Sequence, residues 1–190
     1  MPEVVIIGGP NGAGKSTFAR YVLPEAMPFL NADEIAKTLP GDFAGNRELE
    51  SGRRLLDRLA ELRVKDASFA LETTLASRSL APRLRGLQGQ GYLVHLFFFY
   101  VPSPELCLAR VAARVRRGGH DIPEAIIRRR WRAGLRNFTE LYAPLADEWS
   151  VLQNLDDSGP RPIARKNNDR TITRWEPDIW AAMQTQAKGL

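Results

Sequence analysis

The chain has 190 residues, of which 44% are hydrophobic, and a formal net charge of +5 at pH 7. That length predicts one domain over residues 1–190. The absence of a long apolar run excludes a membrane span, and no signal peptide is visible at the start. The one cysteine, Cys107, cannot form an internal disulfide, which is typical of a protein in a reducing cytoplasm.

The hydrophobic pattern predicts strands that alternate with helices along the chain. Strands are predicted at residues 4–7, 29–30, 68–72, 92–101 and 149–153. Helices are predicted at residues 15–23, 32–39, 46–65, 77–88, 104–117 and 121–142. A small pair of edge strands and a helix near residues 177–187 follow. This alternation indicates an α/β fold with a parallel sheet and helices on both faces.

A glycine-rich loop follows the first predicted strand. Residues 9–16 read GPNGAGKS and match G-x-x-x-x-G-K-[ST] at every fixed position. In such a loop the backbone N–H groups surround phosphate oxygens, the lysine reaches the β- and γ-phosphates, and the serine hydroxyl binds Mg²⁺. We therefore predict that ATP and magnesium bind here, with Ser16 as metal ligand. The predicted nucleotide-binding residues are Gly9, Pro10, Asn11, Gly12, Ala13, Gly14, Lys15, Ser16 and Thr17.

The phosphate loop alone leaves a GTPase, an ATPase motor and a kinase open. A second carboxylate often closes an apolar strand in such proteins, but the long strand at 92–101 offers none. Asp33 and Glu72 follow the ends of two short predicted strands instead, where open α/β sheets place their sites. Each acid alone could be a solvated or capping residue, so their interpretation depends on their shared position.

Positive charge is concentrated in residues 101–140, which hold nine arginines and four acidic residues. A local arginine excess indicates a negatively charged ligand, although a solvated basic face has the same composition. An advance of ~100° per residue puts Arg110, Arg114 and Arg117 on one face, pointing away from the sheet. The predicted buried stripe lies opposite, at Leu108, Val111, Ala112 and Val115.

The arginine-bearing helix ends at a predicted flexible joint. Gly118 and Gly119 separate it from the next helix, for which residues 121–124 resemble a capping box. A joint between two helices is what a closing lid requires. In phosphoryl transfer, arginines on such a lid stabilise the charge that develops on the phosphate oxygens. We therefore predict a lid at about residues 110–130.

Four segments resemble the zeta toxin family of P-loop kinases in its short bacterial form. They are GGPNGAGKST (8–17), NADEIAK (31–37), FALETTLASRS (69–79) and RVAARVRRGGHDIPEAIIRRR (110–130). The resemblance covers about residues 4–165. It implies a nucleoside-kinase-like P-loop fold with an arginine-bearing helical lid.

The resemblance also implies an activity and a role for each matching residue. The implied reaction is phosphorylation by ATP of a hydroxyl of UDP-N-acetylglucosamine. Asp33 matches the base that accepts the hydroxyl proton, and Lys15 keeps its role in the phosphate loop. Glu72 and Thr73 match the substrate-binding region. The phosphate-binding arginines of the family match Arg114 and Arg117.

The sequence is also compatible with other functions. The acceptor could be another small alcohol, such as an aminoglycoside, or a nucleic-acid end, although aromatic residues that would stack bases are not interleaved with the arginines. A nucleotide-dependent switch without phosphate transfer is the alternative outside the enzymes. An antitoxin partner is possible within this family, but the sequence shows no surface for it.

Overall fold

The computed structural model describes residues 1–40, 47–155 and 159–190, without the side chains of Asp33, Lys37, Arg47, Glu48 and Leu49. Within these ranges the chain forms a seven-stranded sheet with the order β2-β3-β1-β4-β5-β6-β7. The strands are β1 (Glu3–Gly8), β2 (Phe29–Asn31), β3 (Phe69–Thr73), β4 (Leu93–Tyr100), β5 (Glu148–Gln153), β6 (Arg161–Lys166) and β7 (Ile172–Arg174). The first five are parallel, and β6 is antiparallel to both β5 and β7. The predicted α/β fold class is confirmed.

The helices of the described ranges lie close to their predicted positions. They are α1 (Lys15–Val22), α2 (Ala32–Lys37), α3 (Arg47–Val64), α4 (Leu80–Gln88), α5 (Pro104–Arg116), α6 (Glu124–Asn137), α7 (Ala143–Leu145) and α8 (Pro177–Lys188), and a π-helical turn (Phe138–Tyr142) joins α6 to α7. None of these helices is both long and apolar enough to cross a membrane.

The central strands are buried, which explains their continuous apolar runs. Val4, Ile6 and Ile7 of β1 have no exposed surface. β1 lies between β3 and β4, and a parallel strand covered on both faces has no solvent-facing side to mark with polar residues. The phosphate loop therefore leaves the sheet near its middle, at the edge formed by the carboxyl ends of β1 to β5.

Two local predictions are wrong. The capping box at residues 121–124 does not form: α6 begins at Glu124, while Asp121 accepts a hydrogen bond from the amide of the next residue. The reason is that Pro123, which has no side-chain acceptor, takes the N-cap position, so Asp121 lies two residues before it. The predicted buried stripe of α5 is also displaced. Cys107 and Val111 are buried, whereas Ala112 is exposed.

Candidate nucleotide-binding and active site

The phosphate loop connects β1 to α1 and is largely buried. Gly9, Pro10, Asn11, Ala13 and Lys15 are buried, Gly12 and Gly14 are half-buried, and Ser16 and Thr17 are exposed at the start of α1. Gly14 has φ 91°, and a Cβ added there would lie 2.6 Å from the side-chain nitrogen of Asn154. Only glycine combines this backbone conformation with so close a neighbour.

Lys15 and Ser16 both contact Glu72 at the end of β3. The Ser16 hydroxyl donates to Oε2 of Glu72 at 2.8 Å, and Nζ of Lys15 lies 3.6 Å from Oε1 of the same carboxylate. Lys15 also donates to the carbonyl of Pro10 at 3.0 Å. The sheet order causes this meeting, because β3 pairs with β1 in a register that places Glu72 opposite Ile7.

Asn31 completes the cluster from the other side of β3. It lies opposite Glu72 in the pairing of β2 with β3, and its Nδ2 donates to Oε2 of Glu72 at 3.0 Å. Its Oδ1 accepts from the amide of Glu34 at 3.4 Å, so the predicted helix-capping role of Asn31 is confirmed. The contact with Glu72 is an additional role that the sequence analysis missed.

Asp33 lies in the first turn of α2, two residues after β2. Its backbone is therefore at the same sheet edge as the phosphate loop. Its side chain lies outside the described part of the structure, so the proposed base role stays a prediction.

Thr73 ends β3 and is followed by a tightly constrained segment, residues 74–77, which we call the β3–α4 loop. The Thr73 hydroxyl accepts from the amide of Leu75 at 3.1 Å, and Leu75 is buried with φ 56°. Few non-glycine residues adopt that conformation, so the surroundings must hold it in place. The β3–α4 loop, which begins two residues after Glu72, is therefore held in one backbone conformation.

Helix α6 and the π-helical turn hold the β3–α4 loop from outside. The buried Asn137 donates to the carbonyls of Leu75 and Ala76 at 2.8 and 3.2 Å, and the Tyr142 hydroxyl donates to the carbonyl of Ser77. Burial raises the pKa of Tyr142 to about 12, so the hydroxyl keeps its proton. Because a π turn closes over five residues, Asn137 and Tyr142 face the same side.

The predicted lid arginines divide into two groups. Arg110 contacts the phosphate loop, through a hydrogen bond to the carbonyl of Gly12 at 3.4 Å, so its predicted orientation away from the sheet is wrong. The buried side of α5 is centred on Cys107 and Val111 rather than on Leu108 and Ala112, and this turns Arg110 towards the loop.

Arg114 and Arg117 contact their own segment. Arg114 donates to the carbonyl of His120 at 2.7 Å, and a Cβ added to Gly119 would lie 2.5 Å from the Cγ of Arg114. Arg117 is exposed and donates to the carbonyl of Ala113 at 3.2 Å. Arg114 is therefore packed against the Gly118–Gly119 joint, and its catalytic role and that of Arg117 stay predictions.

The residues of this site fit a nucleotide with a magnesium ion. Gly9, Gly12 and Gly14 take positive φ angles that let the loop backbone turn, and a cation, a hydroxyl and a carboxylate converge beside the loop. Within the described residues there is no cluster of three or more metal-binding side chains. A magnesium ion held together with phosphates and water needs few protein groups, and the Ser16 hydroxyl beside the Glu72 carboxylate is of that kind.

Cys107 has a packing role. Its side chain is fully buried, and burial raises the pKa of the thiol to about 11. A thiol with this pKa carries almost no thiolate at neutral pH, so it is not a nucleophile. The predicted role of Cys107 as a packing residue is confirmed.

A comparison with protein families identifies the domain. Residues 4–141 match the model of a family described as an AAA domain. The chain belongs to this AAA domain family. The match includes the phosphate loop, Glu72, the predicted lid and all but the last residue of the π-helical turn, and it ends before β5.

One curated relative and three solved structures are similar to this AAA domain protein. An uncharacterized protein of Haemophilus influenzae is 29% identical over 129 residues, which cover 68% of this chain and 92% of the relative. A chain of the AvrRxo1-ORF1:-ORF2 complex with ATP matches with a TM-score of 0.77 at 15% identity, over 98% of this chain and 64% of that chain. This chain thus spans less than two thirds of the AvrRxo1 structure.

Two further structures share the fold. The PezAT chromosomal toxin–antitoxin system of Streptococcus pneumoniae matches with a TM-score of 0.64 at 16% identity, over all of this chain and 85% of that chain. The Pnkp1/Rnl/Hen1 RNA repair complex matches with a TM-score of 0.60 at 19% identity, over 85% and 48%. These likenesses establish a shared P-loop fold.

Proposed function

We propose that the chain is an ATP-dependent kinase that phosphorylates a hydroxyl group of a small molecule, with a lid at about residues 110–130. The observation that carries this proposal is the cluster of Lys15, Ser16 and Glu72 at the mouth of the phosphate loop. It brings a cation for the phosphates, a hydroxyl for Mg²⁺ and a carboxylate to one point of the sheet edge.

The phosphate loop and Asp33 divide the tasks of the reaction in this proposal. ATP with magnesium supplies the phosphoryl group and neutralises part of its charge. Lys15 moves from the carbonyl of Pro10 to the phosphates, while Ser16 and the loop amides hold the nucleotide. Asp33 accepts the proton of the acceptor hydroxyl as the bond to phosphorus forms.

We propose UDP-N-acetylglucosamine, or a similar sugar nucleotide, as the acceptor. This rests on the resemblance of residues 31–37, 69–79 and 110–130 to the zeta toxin kinases. Thr73 and Thr74 also support it, since they directly follow Glu72 in the sequence and carry hydroxyl groups, which are suited to hydrogen bonds with a sugar.

A screen with radiolabelled ATP tests the proposal. The wild-type protein is incubated with UDP-N-acetylglucosamine, free N-acetylglucosamine, an aminoglycoside, an oligonucleotide with a 5′-hydroxyl, or no acceptor. We expect label on the sugar nucleotide. Label on a different compound would replace the acceptor but keep the kinase, whereas ATP hydrolysis unaffected by any acceptor would favour a nucleotide-dependent switch.

A nucleic-acid end is the second acceptor class that the screen includes. The RNA repair match and the basic segment favour it. However, Arg128 donates to Glu105 and Glu124 at 2.7 Å each, so part of the positive charge is neutralised within the protein. Binding of an oligonucleotide that weakens steeply with salt would support this class.

A protein partner is a further part of the proposal. The matched structures include a two-component complex and a toxin–antitoxin system. We propose that an antitoxin-like protein restrains this kinase. Growth arrest on expression of the wild-type chain, but not of Lys15→Ala, would support it, and equal growth of both strains would contradict it.

Replacement of Glu72 by glutamine is expected to weaken magnesium-dependent ATP binding. The carboxylate contacts Ser16, and residues that orient a metal ligand are typically worth ~10–100-fold in metal affinity. We expect the Mg²⁺ concentration at half-maximal activity to rise by about 10-fold, with Glu25→Gln, an exposed glutamate, as control. An increased KM for the acceptor with unchanged Mg²⁺ dependence would instead support the substrate-binding role predicted from the sequence.

Replacement of Asp33 by asparagine is expected to lower kcat by ~10²–10⁴-fold, the usual range for a general base. ATP binding should persist, because Lys15, Ser16 and the loop amides hold the nucleotide. Glu34→Gln, an exposed neighbour on α2, is the matched control and should keep its activity. An Asp33→Asn enzyme with most of its kcat towards the true acceptor would exclude the base role.

A further inference from the structure

We propose that Arg110 is a positioning residue that holds the phosphate loop in its phosphate-binding conformation. It does so by joining a carbonyl of the loop to the end of β5. The inference rests on the proposed binding of ATP at this loop. From the sequence, Arg110 shares a face with the lid arginines Arg114 and Arg117, but the family resemblance gives it no matching role.

Arg110 bridges two segments that are distant in sequence. One terminal nitrogen donates to the carbonyl of Gly12 at 3.4 Å, and the other donates to the carbonyl of Asn154 at 2.5 Å. The guanidinium itself projects from α5. One side chain thus connects α5, the phosphate loop and the residue that follows β5.

The phosphate loop is packed closely between α5 on one side and Asn154 on the other. Gly12 has φ 78°, and a Cβ added there would lie 3.1 Å from the Cβ of Arg110 and 3.1 Å from the carbonyl oxygen of Cys107. On the other side, Gly14 rests against the side chain of Asn154. A shift of the loop towards either side would therefore bring it into collision with α5 or with Asn154.

The chemistry of the loop explains why it needs this support. A backbone that turns its N–H groups towards a phosphate turns carbonyl groups outward, and these require partners of their own. Pro10 has such partners in the Ala13 amide and in Lys15, but Lys15 is the residue proposed to move to the phosphates. The carbonyl of Gly12 is bonded by Arg110, whose helix is anchored through the buried Cys107 and Val111.

An arginine suits this task better than a lysine. The guanidinium has five donors in a fixed planar fork, so it can donate in two directions at once. Lysine has one nitrogen on a flexible stem and can restore at best part of the bridge. Arg110→Lys keeps the positive charge but only part of the bridge, whereas Arg110→Met loses both. Comparing the two variants therefore separates the effect of the bridge from that of the charge.

Hydrogen exchange in the nucleotide-free protein tests the inference directly. In the Arg110→Met variant we expect the backbone amides of Gly9 and residues 11–14 to exchange on the order of 10-fold faster than in the wild type, the effect of losing a hydrogen bond to a charged group. Arg110→Lys should lie between the two. Arg116→Met, which removes an exposed arginine of the same helix, should leave this exchange unchanged.

ATP affinity, measured by calorimetry on the same variants, separates positioning from direct contact. We expect the Kd to rise about 10-fold in Arg110→Met, in step with the exchange. Weaker ATP binding with unchanged exchange would make Arg110 a direct nucleotide ligand and overturn the inference, as would no change in either quantity. If the wild type does not bind ATP, the proposed function fails, but the exchange comparison still decides the role of Arg110. If Arg110→Met does not fold, Arg110→Lys decides it.

Discussion

A Lys15→Ala variant is expected to lose phosphoryl transfer, with turnover at least ~10³-fold lower, the low end of what a cation on a transferring phosphoryl group contributes. Lys15 is 6% exposed, and its amine lies between the carbonyl of Pro10 and the carboxylate of Glu72. A positive charge held at the mouth of the loop is well placed to reach the β- and γ-phosphates, and water cannot replace a charge that is fixed in position.

The fold should survive the loss of Lys15. Glu72 keeps the Ser16 hydroxyl and the Asn31 amide as donors, so its carboxylate is not left without partners. ATP binding should weaken but persist, because the loop amides remain. Transfer is measured with labelled ATP, binding by calorimetry and the fold by thermal unfolding.

Two further variants make the Lys15 experiment specific. Lys15→Met keeps the length of the buried stem without its charge and should lose transfer as fully as Lys15→Ala. Lys65→Ala removes an exposed lysine after α3 and should keep full activity. Undiminished turnover in Lys15→Ala would exclude the proposed kinase activity at this loop.

Loss of Arg114 or Arg117 is expected to lower kcat far more than it lowers protein stability. Arginines that offset the charge of a transferring phosphoryl group contribute ~10³–10⁵-fold in rate at the upper end. Both residues lie within four positions before the Gly118–Gly119 joint, so a movement at this joint would change their position relative to the phosphate loop. The KM for ATP should change less than kcat, because the charge they offset develops only during transfer.

The contacts of Arg114 require a separate measure of stability. Its bond to the carbonyl of His120 gives it a structural role within the lid, so thermal unfolding of each alanine variant must be recorded beside its kinetics. Arg116→Ala, between the two on the sequence and exposed, is the control. Near-normal kcat in both Arg114→Ala and Arg117→Ala would show that this face is only solvated.

The parts of the molecule that depend on neighbours in sequence were predictable. The phosphate loop follows from eight consecutive residues, and β1 from an apolar run that ends in glycine. The start of α5 was predicted from Ser103 and Pro104, and Ser103 does accept a hydrogen bond from the amide of Leu106 at 3.3 Å. Capping, helix periodicity and loop geometry are local, so the residues involved carry the information themselves.

Other features of the site required the sheet order. Glu72 and Asn31 meet because β3 lies between β1 and β2, and the spacing of residues along the chain does not contain that order. The role of Asn137 could not be predicted for a similar reason, since its polar side chain within a helix bonds the carbonyls of a loop 61 and 62 residues earlier. The predicted orientation of α5 was wrong because Cys107 and Ala112 are both small residues. Only the packing of the folded chain decides which of the two is buried.

By itself, therefore, the sequence determined the α/β class, the phosphate loop with Lys15 and Ser16, and the approximate limits of the helices and strands. These follow from short-range sterics and hydrophobic periodicity. The tertiary structure alone decided that Glu72 contacts Ser16, that Asn137 holds the β3–α4 loop, and that Arg110 joins Gly12 to Asn154. Those contacts join residues 44 to 98 positions apart, and strand order and helix rotation, which come from the packing of the whole core, bring them together.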